Sequence, residues 1–118
     1  MCKIDVAESW GTYATQFISK RVISRKDRKC SECRGKILKG GMYESVTGRW
    51  DGCKDRYMIC RLCLEIRKEF ADSWCYGMLW EDIQEECSED IEIGQIDNLS
   101  KEAVSHLENM MGWRWEED

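Results

Sequence analysis

Two pairs of cysteines carry the chemistry that is easiest to read from this sequence. They are Cys30-Ser31-Glu32-Cys33 and Cys60-Arg61-Leu62-Cys63, and 26 residues separate them. A two-residue spacer lets both sulfurs of a pair reach one ion at about 2.3 Å, while backbone N–H groups of the turn point back at the sulfurs. Four such thiolates form a tetrahedral site that zinc fills most often. The sequence therefore predicts one Zn²⁺ held by Cys30, Cys33, Cys60 and Cys63.

Other uses of these cysteines are weaker interpretations. Rubredoxin-type iron knuckles usually contain proline, and this chain has none. Thioredoxin chemistry needs one Cys-x-x-Cys at a helix start, which Cys60 and Cys63 would satisfy, but the matching first pair favours a metal. The single histidine, His106, is far along the chain, where a surface or partly buried position is expected rather than a ligand. With one histidine, neither a Ser/His/Asp set nor a His-based nuclease site can be assembled, so no enzymatic activity is predicted.

The remaining cysteines, Cys2, Cys53, Cys75 and Cys87, share no knuckle spacing. The simplest interpretation is that they are small buried apolar residues. A second metal site built from them stays open as a lesser alternative. Their role cannot be read from the sequence.

The elements that must position the four ligands follow in a definite order. Residues 17–24 are rich in β-branched side chains and predict a strand entering the first knuckle, where Gly35 suits the left-handed backbone of the turn. Residues 42–47 and 54–59 predict a β-hairpin connected through residues 48–52. The second knuckle then opens a helix with an apolar face that runs from Leu62 to Trp74. Knuckle, hairpin and helix is the order of a treble-clef zinc finger, although the spacing alone also permits a zinc ribbon.

Two more helices are expected after this unit. One runs from about Gly77 to Cys87, and another begins after the N-cap residue Ser100 and ends at Gly112. An acidic connection, residues 88–95, separates them. The predicted class is α+β, a treble-clef-like zinc unit with additional C-terminal helices. The predicted core consists of the following side chains: Tyr43, Val46, Tyr57, Ile59, Leu62, Ile66, Phe70, Leu79, Ile83, Val104 and Leu107.

Size and composition fit one small domain. The chain has 118 residues, of which 42% are hydrophobic and 35% are charged. We predict a single zinc-stabilised domain over residues 1–118, with a zinc-binding core at 17–75 and an acidic helical extension at 76–118. No long apolar segment and no signal peptide is evident, so a cytoplasmic protein with reduced cysteines is expected.

Charge is divided along the chain, although the net value is only −5. Residues 20–39 carry +7 and residues 65–118 carry −12. Uneven charge of this kind can mark a surface that faces a partner. The acidic candidates for a protein-binding surface are Glu81, Asp82, Glu85 and Glu86. The basic candidates for a nucleic-acid surface are Arg25, Lys26, Arg28 and Lys29, with Trp50 and Tyr57 as stacking rings.

The cysteine region resembles a loose group of small proteins encoded by phages and prophages. The resemblance covers roughly residues 20–87 and consists of an Arg/Lys-rich lead-in (25–29), Cys30-Ser31-Glu32-Cys33, Gly-x-x-Tyr and Trp-Asp-Gly in the hairpin, and Cys60-Arg61-Leu62-Cys63. The group is mostly uncharacterised. It implies a zinc-binding treble-clef-like unit in a phage setting, where small accessory proteins often antagonise host defence or transcription.

Together these features predict a zinc-binding, non-enzymatic protein-interaction module. The expected partner is a host or phage protein, and the expected role is inhibition of a host complex that defends the cell or handles nucleic acid. The alternative is a zinc finger that binds nucleic acid directly. Neither a membrane nor a small-molecule substrate is expected as a partner.

Overall fold

The computed structural model describes residues 14–50, 53–71, 76–87 and 91–112, and the fold is α+β. A three-stranded antiparallel sheet has the order β1-β4-β5, and a separate two-stranded ladder joins β2 to β3. The strands are β1 (Ala14–Ile23), β2 (Arg28–Lys29), β3 (Lys36–Ile37), β4 (Met42–Trp50) and β5 (Cys53–Cys60). The helices are α1 (Arg61–Phe70), α2 (Leu79–Glu86), α3 (Ile93–Asp97) and α4 (Lys101–Met111).

The β4–β5 hairpin is present, but the predicted five-residue connection is wrong. The two strands pair continuously from Tyr43 opposite Cys60 to Trp50 opposite Cys53, so pairing extends beyond the predicted strand ends. Gly48 lies inside β4 and pairs with Asp55. A glycine weakens a strand without preventing its backbone from pairing, so it was a poor marker of the turn here.

Helix α1 starts directly from the second knuckle, as predicted. Cys60 ends β5 and is also the N-cap residue of α1, and the helix ends at Phe70. Its buried face contains Cys63, Leu64, Ile66 and Phe70, while Leu62 is only half-buried. The predicted continuation to Trp74 is wrong, because Ala71 is already extended, with a φ of −136° and a ψ of 127°. The helix lies against the sheet, where the terminal guanidinium nitrogens of Arg67, Nη1 and Nη2, each donate to the Glu44 carboxylate at 3.1 Å.

The helical extension largely follows the sequence pattern. Ser100 caps α4, accepting a hydrogen bond from the Ala103 N–H at 3.2 Å, and Gly112 ends that helix with a φ of 76°. The acidic connection predicted over residues 88–95 is too long, because α3 already begins at Ile93. A capping box begins α3: Glu92 accepts from the N–H of Gln95, and the Gln95 side chain accepts from the N–H of Glu92.

One core joins the sheet to helices α1, α2, α3 and α4. Eight of the eleven predicted core side chains are buried, and Tyr57, Leu62 and Val104 are half-buried. The core also contains residues that the prediction omitted, namely Ile37, Leu64, Trp80, Ile96 and Ala103. Among the described residues, no helix has the length and apolar character needed to cross a membrane.

Candidate metal centre

The first knuckle is a tight turn closed by its own backbone. The Cys30 N–H donates to the Gly35 carbonyl at 2.8 Å, and the Arg34 N–H donates to the Cys30 carbonyl at 3.0 Å. The left-handed residue is Arg34, with a φ of 62°, and not Gly35 as predicted. Gly35 contacts the Cys33 sulfur instead. Its N–H donates to Cys33 Sγ at 3.3 Å, and a Cβ at this position would lie 3.3 Å from the same atom.

The second knuckle spans a strand end and a helix start. Cys60 is the last residue of β5, and Cys63 lies in the first turn of α1. This arrangement places both cysteines at the N-terminal end of α1, whose N–H groups carry partial positive charge. The Cys60 N–H donates to Cys30 Sγ at 3.3 Å, so the two knuckles are also connected by a backbone hydrogen bond.

The four predicted ligand atoms meet at one point. All four sulfurs lie within 4.8 Å of one another, and the pairs Cys30–Cys63 and Cys33–Cys60 are each separated by 3.9 Å. Zinc–sulfur bonds of 2.3 Å in a regular tetrahedron require sulfur separations of about 3.8 Å. The four cysteines are therefore positioned to bind a metal ion, and the spacing is consistent with zinc.

The closeness of the four sulfurs also favours a cation at the centre of the cluster. Hydrogen bonds from Cys30, then Cys60 and Cys63, lower the pKa of the Cys33 thiol. Hydrogen bonds among the same sulfurs, followed by burial, raise the pKa of Cys63. Four sulfurs this close cannot all be ionised without a compensating positive charge. A bound divalent cation supplies that charge and allows all four thiolates to form.

The spacer residues of the first knuckle attach it to two other elements. Ser31 exchanges hydrogen bonds with Met58 of β5: its N–H donates to the Met58 carbonyl at 2.7 Å, and its Oγ accepts from the Met58 N–H at 3.0 Å. The buried Glu32 carboxylate accepts from the N–H groups of Gly77 and Leu79, at the start of α2. Burial raises the pKa of Glu32 to about 7, although these two N–H groups oppose the shift.

The helical extension reaches the metal centre through two rings that the sequence analysis did not assign to it. Trp80 Nε1 donates to Cys63 Sγ at 3.4 Å, and His106 Nε2 lies 3.4 Å from the same sulfur. The two rings contact each other edge to face, with centroids 5.6 Å apart. His106 is half-buried, as expected, but it belongs to the surroundings of the metal centre. No spacing rule could have placed it there, because the contact spans 43 residues.

Cys87 differs from its predicted role. It is fully buried, as expected, but it is disulfide-bonded rather than a free apolar side chain. The sequence around Cys87 has no spacing motif that would have predicted a disulfide. Cys2, Cys75 and the side chain of Cys53 lie outside the described residues.

The acidic candidates lie together on α2. Glu81, Glu85 and Glu86 are exposed, and Asp82 is half-buried. Burial raises the pKa of Asp82, and the neighbouring carboxylates of Glu86, Glu85 and Glu81 raise it further. This helix therefore presents a concentration of like charge.

The basic candidates are divided by the fold. Arg25, Lys26 and Lys29 are exposed, whereas the Arg28 guanidinium lies 5.6 Å from the centroid of the Tyr43 ring and contacts Met58 Sδ at 3.9 Å. Arg28 is thus used in packing and is a poor candidate for phosphate contact. The side chain of Trp50 lies outside the described parts, and Tyr57 stacks on Tyr76 at 5.6 Å.

Comparison with known proteins adds no family: no family model, no curated protein and no solved structure matches this chain.

Proposed function

We propose that this protein is a zinc-binding, non-enzymatic interaction module, in which a treble-clef-like unit holds an acidic helical surface in place. The observation that carries the proposal is the four-sulfur cluster, because it supplies four ligands and so completes the coordination of a zinc ion. Catalytic zinc usually retains an open position for water or substrate, whereas structural zinc does not. The proposed role of the metal is therefore to stabilise the fold.

The order of elements supports the treble-clef-like assignment. A knuckle at 30–33 is followed by the β4–β5 hairpin and by α1, whose N-cap and first turn carry the second cysteine pair. The β2–β3 ladder that flanks the first knuckle fits the same arrangement. In this proposal the metal joins the hairpin to the helix, and the helix carries the extension.

The surface of α2 is the preferred contact surface for a partner. Its exposed carboxylates lie on a helix whose other face is buried through Leu79, Trp80 and Ile83. An acidic surface on a rigid support suits a basic groove on another protein, because complementary potentials steer association. The resemblance to small phage proteins adds the hypothesis that the partner is a host complex that normally binds nucleic acid.

Direct nucleic-acid binding is the second candidate, and one observation favours it. Lys29 and Lys36 lie opposite each other in the β2–β3 ladder, and both are exposed. Like charges facing each other across strands are unfavourable unless an anion compensates them. Together with Arg25 and Lys26 they form a basic surface beside the first knuckle.

Two matched triple variants separate these candidates. In the acidic variant, Glu81, Glu85 and Glu86 become Lys; in the basic variant, Arg25, Lys26 and Lys29 become Glu. Asp82 and Arg28 are left unchanged because both are partly buried. The proposal expects that the wild type captures a specific host protein in an affinity pull-down. Capture should be lost in the acidic variant, retained in the basic variant, and weakened as salt rises through about 0.15 M, where the screening length is about 8 Å.

The opposite pattern would favour the second candidate. In that case the wild type would bind DNA or RNA in a salt-dependent gel shift, and only the basic variant would lose binding. Both candidates would be contradicted by a measured enzymatic turnover, if replacing a single side chain away from the cysteines abolished it.

A further inference from the structure

The four sulfurs of the metal centre differ in their access to solvent. Cys30 and Cys63 have relative exposures of 1% and 0%, whereas Cys33 and Cys60 are half-buried. Trp80 and His106 lie against Cys63, and the Cys60 N–H lies against Cys30. The centre therefore has an inner pair, Cys30 and Cys63, and an outer pair, Cys33 and Cys60.

A cavity of about 430 Å³ opens onto the outer pair only. Cys33 and Cys60 line it, and the inner pair does not. Its apolar walls include Ile37 and Leu62, with the 61%-exposed Leu38 among the lining residues. Lys36 and Arg61 also line it and place positive charge beside the two sulfurs. A small polar molecule can thus reach Cys33 and Cys60 without disturbing the core.

We propose that Cys33 and Cys60 form an oxidation site, through which small oxidants of the peroxide class release the metal. The inference rests on the proposed zinc binding. The two sulfurs are already 3.9 Å apart and come from different knuckles. A disulfide requires a separation of about 2.05 Å, so the outer pair must approach by roughly 2 Å. Both cysteines line the cavity, which leaves space for that movement.

The chemistry balances with the oxidant as the only added reagent. One outer thiolate attacks an oxygen of hydrogen peroxide, the O–O bond breaks, and a sulfenic acid and hydroxide result. The second outer thiolate then attacks the sulfenic sulfur, forming the S–S bond and expelling a second hydroxide. Solvent protons convert both hydroxides to water. Two electrons pass from the sulfurs to the peroxide. A metal held by all four sulfurs would then keep only two ligands, Cys30 and Cys63, and we expect it to dissociate.

The experiment treats the zinc-loaded, full-length protein with hydrogen peroxide after its zinc content has been measured. Free zinc is followed with a chromophoric chelator, and disulfides are mapped by mass spectrometry of non-reduced peptides. The expected result is loss of the zinc together with formation of a Cys33–Cys60 disulfide. Disulfides within the knuckles, Cys30–Cys33 or Cys60–Cys63, would overturn the inference, and so would retention of zinc under peroxide. A protein that contains no zinc before treatment would instead overturn the proposed function, and this inference with it.

A rim variant tests whether the cavity is the route of attack. Leu38→Trp enlarges an exposed side chain at the cavity, and Ile18→Trp makes a similar change at a 71%-exposed position on β1. Neither residue is a ligand. We expect Leu38→Trp to slow zinc release several-fold and Ile18→Trp to leave the rate unchanged. Equal rates in the wild type and both variants would show that oxidant does not enter through this cavity.

Discussion

The cysteine unit, residues 28–71, and the helical extension, residues 76–112, reach the metal centre in different ways. The cysteine unit supplies all four sulfurs from two Cys-x-x-Cys segments, and its strands pair with sequence neighbours, β2 with β3 and β4 with β5. The extension supplies no sulfur. It contacts the centre through Trp80 and His106, and it is held by the Glu32 carboxylate of the first knuckle.

This difference implies a one-way dependence. Without the proposed metal, the two knuckles would keep only hydrogen bonds between them, such as the one from the Cys60 N–H to Cys30 Sγ. The surface on which the extension packs would then be weakened as well. Without the contacts of the extension, the four sulfurs still have their turns, their strand and their helix. We therefore expect damage at the cysteines to spread to the extension, whereas damage in the extension should leave the metal bound.

The largest effect is expected from replacing a ligand. Cys30→Ala should abolish stoichiometric zinc binding and unfold the hairpin region, because structural zinc supplies about 10–16 kcal/mol, more than the whole stability of a small domain. Circular dichroism and elemental analysis measure the two losses. Removing zinc from the wild type with a strong chelator should reproduce the variant. Retention of a cooperative fold without metal would contradict the account.

A change in the extension should cost less and leave the zinc in place. Trp80→Ala removes a buried ring and a hydrogen-bond donor to Cys63, so we expect a loss of about 3–5 kcal/mol in the free energy of unfolding. Met78→Ala, at a neighbouring 45%-exposed position, is the control and should have little effect. Loss of zinc from the folded Trp80→Ala variant would contradict this difference between the two regions, because the extension would then be part of the metal site.

Removing the hydrogen bonds between the two regions should lower stability by an intermediate amount. Glu32→Ala leaves the N–H groups of Gly77 and Leu79 without their acceptor, and unsatisfied buried groups cost about 1–3 kcal/mol. Hydrogen exchange should speed up in α2 and remain unchanged in β4 and β5. Glu32→Gln retains one acceptor oxygen and should fall between the wild type and Glu32→Ala. Equal protection of α2 in all three proteins would show that Glu32 does not hold the extension.

The smallest change is expected at the cap of α4. Ser100 caps this helix and also donates its Oγ–H to the Glu65 carboxylate of α1 at 3.0 Å. Ser100→Ala should lower stability by about 1 kcal/mol, without altering zinc content. Ser105→Ala, at an exposed position in the middle of α4, is the matched control for loss of a hydroxyl and should be close to neutral. Similar unfolding curves for both variants would contradict the capping role.

The same contrast explains which parts of the molecule could be predicted from the sequence. The four ligands were predicted because Cys-x-x-Cys spacing is a local property of a turn. The hairpin, α1 and the Ser100 cap were predicted because side-chain period and capping chemistry are also local. The hairpin connection was misjudged because glycine marks turns and strand interiors alike, and α3 was missed because its capping box starts with glutamate rather than Ser or Thr.

The environment of the metal could not be predicted, because it depends on contacts between distant residues. His106 and Trp80 meet Cys63 across separations of 43 and 17 residues. From the sequence, Glu32 could be either an exposed residue of the first knuckle or a buried carboxylate that holds another element. Only the position of α2 decides between these two. In the sequence, Arg28 looks like the basic residues around it, and only the fold brings its guanidinium against Tyr43.

The central claim, one tetrahedral zinc held by four thiolates, is tested most directly by metal analysis of the purified protein with cobalt exchange. The account predicts one zinc per chain and, after exchange, the visible absorption bands of tetrahedral cobalt bound to four thiolates. Each single change to Ala at Cys30, Cys33, Cys60 or Cys63 should abolish both. Much less than one zinc per chain in the wild type, or the red colour of an iron–thiolate centre, would contradict the claim.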